Sequence, residues 1–316
     1  MPWQQRGCSC PRADSHSRGR GTCSNRRVNM AAPGHGSTGL ASRTICAAPQ
    51  RTSYASHPVS IPAGFLEDAP AKPVTVTPIR WSPALPEYEG AVAAVLDNVL
   101  SPEECAQLLC LAESSVVLEK GAASPWRPAL VSAGAGWEVP IFDYRNSDRI
   151  VWDQQTIVNR LWDRCRQGPG VEALFGRTPA DRERGHLSGR WVFERVNERM
   201  RFLKYSPGQF FRPHCDGPYY HRDESGSEMR THYTVHLYLN DSALASAAGT
   251  GHVGGATSFL SRDESRRLDV HPKAGSVLIF QHGKLYHEGA EVTSGVKYTM
   301  RTDILYRWVD KEGGDK

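Results

Sequence analysis

His214-Cys215-Asp216, followed seventy-one residues after the aspartate by His287, is the grouping in this 316-residue chain with the clearest capacity for chemistry. Two imidazoles and one carboxylate are the facial ligand set of a mononuclear non-haem Fe(II) site, which leaves three coordination positions open for substrate and oxygen. His214 and Asp216 stand at i and i+2. In a strand both side chains leave the same face and can converge on one ion, while Cys215 turns away. The third ligand must then come from another strand, which the long gap allows. His-x-Asp alone is a weak signal; its weight comes from what surrounds it.

Upstream the chain reads Phe202-Leu203-Lys204-Tyr205-Ser206-Pro207-Gly208-Gln209-Phe210-Phe211-Arg212-Pro213-His214. Downstream come Tyr238-Leu239-Asn240, Gly254-Gly255-Ala256-Thr257-Ser258-Phe259, Pro272-Lys273-Ala274-Gly275-Ser276-Val277-Leu278-Ile279-Phe280, and His287-Glu288-Gly289 with Lys297 ten residues after the histidine. In this order the segments resemble the catalytic domain of the prolyl 4-hydroxylase-like branch of the Fe(II)/2-oxoglutarate dioxygenases. The resemblance is close from about residue 200 to 307, looser from about 90 to 199, and does not reach the first eighty or so.

The resemblance implies Fe(II) on His214, Asp216 and His287, 2-oxoglutarate and O2 as co-substrates, and L-ascorbate as reductant. It implies hydroxylation of an unactivated C–H bond, with release of succinate and CO2. That bond belongs to a prolyl residue of a protein or, on the same scaffold, to a small metabolite. A third reading is a non-catalytic 2-oxoglutarate-binding module, against which the intact ligand set and Lys297 argue. Lys297 stands where the family carries the lysine for the far carboxylate of 2-oxoglutarate, and a desolvated cation there makes a strong charge-assisted hydrogen bond. Arg301, on the same strand face, is the reserve anchor, since its planar fork would bind a carboxylate bidentately. Tyr238 matches a tyrosine that bonds the same carboxylate, and Tyr205, nine residues before His214, matches another that lines the pocket.

Each of these has a plainer alternative, because lysines are mostly on surfaces and tyrosines often sit in cores with their hydroxyls satisfied by backbone. His282 competes with His287, but His287-Glu288-Gly289 fits the family's His-x-Gly. His232 and His236, spaced four apart in a strand-like run without the glutamate of a zinc helix, read as structural or pocket-lining. Gly254-Gly255 reads as a tight turn or a close backbone approach. The carboxylate of Asp216 favours hydroxylation over halogenation, and Thr293 stands where nucleic-acid-repair relatives carry an arginine.

Those residues need elements to hold them. Alternation with period two gives strands over 191–196, 200–205, 233–240, 256–260, 268–271, 275–281 and 296–307, separated by Gly/Pro/Ser-rich turns. Thr234, His236 and Tyr238 share one face of their strand, as do Lys297, Thr299, Arg301 and Asp303 of theirs; both faces are expected to line a polar pocket. Ser101-Pro102-Glu103-Glu104 opens a helix with a capping box and an apolar stripe of Cys105, Leu108, Leu109 and Ala112. A second helix follows Asp153 with Ile157, Val158, Leu161, Trp162 and Cys165 on one face, and Ala91 to Leu96 is a short strand. The expected fold is mostly β: a double-stranded β-helix, or jelly roll, with N-terminal helices packed on one face.

The organisation read from composition is an Arg/Ser/Gly/Pro-rich, loosely ordered tail over 1–85 and a dioxygenase domain over 86–312. The domain divides into a helical part, 98–185, and a jelly-roll core, 190–308. Residues 1–66 carry eight arginines and one acid (Asp14), while the remainder carries 30 basic and 33 acidic residues. A slightly acidic domain argues against a nucleic-acid partner. The partner expected is a substrate peptide or small molecule, with oligomeric state left open. Four of the eight cysteines (Cys8, Cys10, Cys23, Cys46) fall in the tail, and no spacing suggests a disulfide framework or a common zinc module. No apolar run approaches the roughly 18 residues that span a bilayer, and no secretory signal is evident. The expected location is the cytoplasm, with mitochondrial targeting by the Arg/Ser-rich start as the alternative, and Met30 is a candidate true start.

Overall fold

The computed structural model describes residues 48–118, 120–134, 136–176 and 189–310. Expectations for residues 1–47, including their four cysteines, lie outside the described residues, as do those for 177–188. Eight strands form the jelly roll: β1 Arg199–Tyr205, β2 Phe210–His214, β3 Glu228–Tyr238, β4 Thr257–Leu260, β5 Arg267–Val270, β6 Val277–Gln281, β7 His287–Gly289 and β8 Lys297–Asp310. The major sheet runs β6-β3-β8-β1. Ala93–Asp97 and Thr75–Pro78 extend it beyond β6, and Asp148–Asp153 and Arg127–Pro128 beyond β1. The minor sheet runs β5-β4-β7-β2, with the two-residue strand Arg145–Asn146 beside β2. Pairing is antiparallel throughout both, so the fold is the expected mostly-β jelly roll.

The alternation of the central strands divides two compartments. Tyr233, Val235 and Leu237 of β3, Ile279 of β6 and Met300 and Ile304 of β8 join the main apolar core. That core also takes Cys105, Leu108 and Ala112 from helix α1 (Pro102–Ser114) and Ile157, Val158, Leu161, Trp162 and Cys165 from helix α2 (Gln155–Cys165). Both helices therefore cover the outer face of the major sheet. Helix α1 starts as its sequence dictates: Ser101 accepts from the Glu104 amide and Glu104 accepts from the Ser101 amide, a complete capping box. The opposite faces of β3 and β8 are left to look inward, between the sheets. Cys105, Cys165 and Cys215 are free thiols. Among the described residues no helix is long and apolar enough to cross a membrane.

The folded part begins earlier than composition indicated. Phe65, Leu66 and Val74 are buried in the main core, and Trp81 and Leu85 in a second apolar cluster with Phe259 and Phe280. Each such side chain contributes about 1.5–3 kcal/mol on burial, so residues 65–85 belong to the domain and not to the tail. The stretch lacks periodicity because it is mostly irregular chain, anchored by single apolar residues rather than by a repeating face. A second difference lies at Gly217–Thr231. This segment lies outside the strands expected from alternation, yet part of it is a hairpin in which Tyr220–Arg222 pairs with the start of β3.

Candidate functional site

The three metal-ligand candidates come from the minor sheet and the turn that leaves it. β2 and β7 are neighbours in register, with His214 directly opposite His287. Their ring centroids stand 4.4 Å apart. β2 ends at His214, so Asp216 lies beyond the strand rather than two residues along it, as the spacing suggested. The convergence survives: His214 Nε2 is 3.7 Å from Asp216 Oδ1 and His287 Nε2 is 3.8 Å from Asp216 Oδ2. Ligand atoms of all three lie within 4.8 Å of one another.

The backbone fixes the tautomers. His214 Nδ1 lies 2.8 Å from the Arg212 carbonyl and His287 Nδ1 2.9 Å from the Leu285 carbonyl. A carbonyl only accepts, so both Nδ1 atoms carry the hydrogen and both Nε2 lone pairs face the shared point. Burial, with the neighbouring His287, holds His214 well below the ordinary histidine range, and burial lowers His287 too. Both imidazoles are thus neutral, the state a metal requires. Burial pushes the Asp216 carboxyl up, but the Arg301 guanidinium outweighs it and keeps the group ionised. Thr234 donates to Asp216 Oδ2 at 2.6 Å, and Arg301 Nη1 meets Oδ1 at 2.8 Å. A neutral His, a neutral His and a carboxylate oriented by hydrogen bonds fit a divalent iron.

His282 is not part of this group. Its Nε2 lies 3.4 Å from Asp303 Oδ1, in a network where Asp303 also meets Arg301 Nη2 at 3.2 Å and Arg201 Nη1 at 3.3 Å. Arg301 therefore has two acids on its guanidinium, at the metal end of the cavity.

The other end differs. The inner faces of β1 and β8 meet in register, with Tyr205 opposite Lys297, Leu203 opposite Thr299 and Arg201 opposite Arg301. Lys297 and Arg301 share a face four residues apart, a separation of about 13 Å along a strand. Lys297 is 1 % exposed, and among the described residues no acid lies within 4 Å of its ammonium, the nearest features being the rings of Tyr205 at 5.1 Å and Tyr238 at 6.0 Å. Burial lowers its pKa to about 7. Gly255, with φ of +72°, passes over its stem: a Cβ there would stand 3.0 Å from Lys297 Cδ, so the close approach of the Gly254-Gly255 turn has a physical reason.

Between these ends lies a cavity that opens to solvent. Tyr205, His214, Asp216, His287, Lys297 and Arg301 all line it. Tyr238 does not. Its hydroxyl donates to Thr257 Oγ1 at 2.8 Å, and it is Thr257 that faces the cavity. Sequence reasoning passed over Thr257, Arg145 and Arg201, which also line it. Thr234 and His236 were signalled only by the alternation of β3. Several buried polar atoms around the cavity have no partner, among them His236 Nε2, Thr299 Oγ1, Arg301 Nε and Arg145 Nε. Such groups cost stability when left unpaired, and together with Lys297 they describe a space shaped for an acidic, polar occupant.

Residues 200–303 match the model of the 2OG-Fe(II) oxygenase superfamily. Among solved structures, the chain is similar to a prolyl-4-hydroxylase from Pseudomonas putida at 18% identity, covering 72% of this chain and 96% of that one with a TM-score of 0.42. It is similar to a viral collagen prolyl hydroxylase from Paramecium Bursaria Chlorella virus-1 at 17% identity, covering 67% and 95% with a TM-score of 0.39. A prolyl hydroxylase from Trichoplax adhaerens, solved with a hypoxia inducible factor oxygen degradation domain peptide fragment, matches at 16% identity over 70% and 86%, TM-score 0.42. No curated protein matches the sequence.

Proposed function

We propose that this chain, whose residues 200–303 match the 2OG-Fe(II) oxygenase superfamily, is a 2-oxoglutarate-dependent dioxygenase that hydroxylates an unactivated C–H bond, with His214, Asp216 and His287 as the iron ligands and Lys297 as the 2-oxoglutarate anchor. The observation that carries this reading is the pairing of two neutral imidazoles and a carboxylate with a buried lysine that has no acid within 4 Å among the described residues, on the two ends of one cavity. Fe(II), when bound, supplies the oxidising chemistry that splits 2-oxoglutarate into succinate and CO2 and passes one oxygen atom to the C–H bond.

The protein's own residues do the holding. Lys297 Nζ donates to the far carboxylate of the co-substrate in a dry environment, where a charge-assisted bond is strong. Binding restores its proton by giving the ammonium the counter-charge it lacks. Tyr205 walls that end beside it, and Tyr238 acts at one remove, orienting the Thr257 hydroxyl that faces the cavity. Arg301 and Thr234 hold Asp216 ionised and aimed, and Arg301 is tied at the metal end, too far along the strand to serve the far carboxylate as well. L-Ascorbate serves as reductant.

Two substrates fit the scaffold. A prolyl residue of a protein follows from the motif resemblance. A small metabolite is favoured by the cations that line the cavity. The test is succinate release from 2-oxoglutarate by purified protein with Fe(II), O2 and ascorbate. It is followed by an untargeted search of peptides and metabolites for the mass gain of one oxygen atom. No succinate under any condition would leave a non-catalytic 2-oxoglutarate-binding module.

A further inference from the structure

Arg145 is a lining cation that neither the metal group nor the co-substrate pocket uses. It sits on the two-residue strand beside β2, opposite Phe211, and is 9 % exposed. Among the described residues no carboxylate lies within 4 Å of it. Its Nη1 reaches the Leu130 carbonyl only at 3.4 Å, and its Nε has no partner. The guanidinium lies 4.5 Å from the Phe211 ring centroid, and Phe211 stacks on His214 at 3.7 Å. A buried, unsatisfied cation is therefore held one aromatic layer from a metal-ligand candidate, facing the same cavity.

Charge around the cavity leaves a role for it. With Lys297 assigned to the far carboxylate, Arg145, Arg201 and Arg301 remain at the metal end against Asp216 and Asp303. Glu288 also lines the cavity, but its nearest cation is Arg267, at 3.8 Å and half exposed. The metal end stays positive before a divalent ion adds to it. Building on the hydroxylase reading, we propose that Arg145 is the substrate-orienting cation. It receives the carboxylate of a small carboxylic acid of amino-acid size, and so decides which C–H bond faces the His-Asp-His group. The unpaired Nε is one of the parallel donors that a guanidinium offers a carboxylate in bidentate fashion. The same cavity must also hold 2-oxoglutarate, which restricts the second molecule to a modest size.

The test uses the full chain with Fe(II), 2-oxoglutarate and ascorbate. Free L-amino acids and short carboxylic acids are compared with their carboxamides, with phosphate monoesters and with an end-capped prolyl peptide. The expected result is that one or more acids accelerate succinate release and gain an oxygen atom, while the matching amides do neither. Arg145→Gln should then raise KM for that acid roughly thirtyfold or more, with KM for 2-oxoglutarate little moved, and Arg145→Lys should recover part of the loss. If Arg145→Gln does not fold, the acid-against-amide contrast on the unaltered protein decides. Preference for the capped peptide or a phosphate monoester, equal response to acid and amide, or a loss that falls on KM for 2-oxoglutarate would each overturn the assignment. Absence of succinate with every probe is a different failure, and it strikes the hydroxylase reading itself.

Discussion

Lys297 and Arg301 are cations on one face of one strand, four residues apart, and their surroundings are opposite. Arg301 meets Asp216 at 2.8 Å and Asp303 at 3.2 Å. Its pKa is raised because those acids overcome the burial that would lower it. Lys297 is fully buried where Arg301 is partly exposed, and it has no acid within 4 Å, so burial alone acts and brings it down to about 7. Of the two, Arg301 has its counter-charges within the protein and Lys297 does not. A buried ion pair is costly to break but adds little over an apolar replacement, whereas a buried single charge is a direct cost to the empty protein. Lys297 is therefore the one of the pair left for a ligand.

The largest effect that bears on this contrast is at the metal end. His214→Ala, Asp216→Ala and His287→Ala should each abolish succinate release, while His282→Ala retains iron binding. Iron titration of each purified variant checks this, and a dead His282→Ala beside an active His287→Ala would mean that the distal ligand is misassigned.

Lys297→Met comes next. Losing one side of a buried charge-assisted pair costs roughly 3–5 kcal/mol, on the order of a hundredfold or more in affinity, so KM for 2-oxoglutarate should rise by about that factor with iron affinity nearly unchanged. The same substitution should raise the melting temperature of the ligand-free protein, because it removes the unpaired charge. Lys297→Arg should be only partly tolerated, since the planar fork needs room that Gly255 and Tyr205 restrict.

Arg301→Met should do the reverse. It strands Asp216 and Asp303 without their main cation, so the ligand-free protein should lose stability, up to about 3–5 kcal/mol, while KM for 2-oxoglutarate shifts far less than in Lys297→Met. Thermal denaturation of the two variants side by side decides the comparison. If Arg301→Met carries the large KM effect and Lys297→Met almost none, the anchor is Arg301.

The smallest expected effect is the pH dependence. The folded pKa of Lys297 lies below its unfolded value, so keeping it charged opposes folding of the empty protein. That penalty is fully present below about pH 7 and fades as pH rises toward the ordinary lysine value. Binding of 2-oxoglutarate needs the charged form and should take up a proton above pH 7, so its affinity should weaken as pH rises through that point. Calorimetry in buffers of different ionisation heat measures the uptake, and Lys297→Met should abolish it.

Much of this was legible in the chain. The alternation of 233–240 and 296–303 assigned Thr234, His236, Tyr238, Lys297, Thr299, Arg301 and Asp303 to pocket-facing sides; Thr234, His236, Lys297 and Arg301 line the cavity, whereas Tyr238 packs in the second apolar cluster. The side-chain period of a strand leaves no other choice once one face is apolar. The Ser101 to Glu104 cap likewise followed from local chemistry. Arg145 was not legible: it sits on a strand of two residues, too short to show a period, and matters only because Phe211 and Tyr205 come to it from elsewhere. Phe65, Leu66 and Trp81 were missed for a related reason, being single anchors in aperiodic chain.

The sequence by itself determined the residue types for an iron site, the strands that carry them and the face each side chain takes, because these depend on neighbours one to four residues away. Only the tertiary structure decided which cation is free. Lys297 and Arg301 are equivalent in pattern, and what separates them is that Asp216 arrives from the end of β2 and that Asp303 turns the Arg301 guanidinium toward the metal end. The same packing sends His282 to Asp303 and leaves His287 opposite His214. Charges separated by dozens of residues become partners only when the two sheets close on each other, and in the low dielectric between them the presence or absence of an acid within contact distance is what distinguishes a structural ion pair from a binding site.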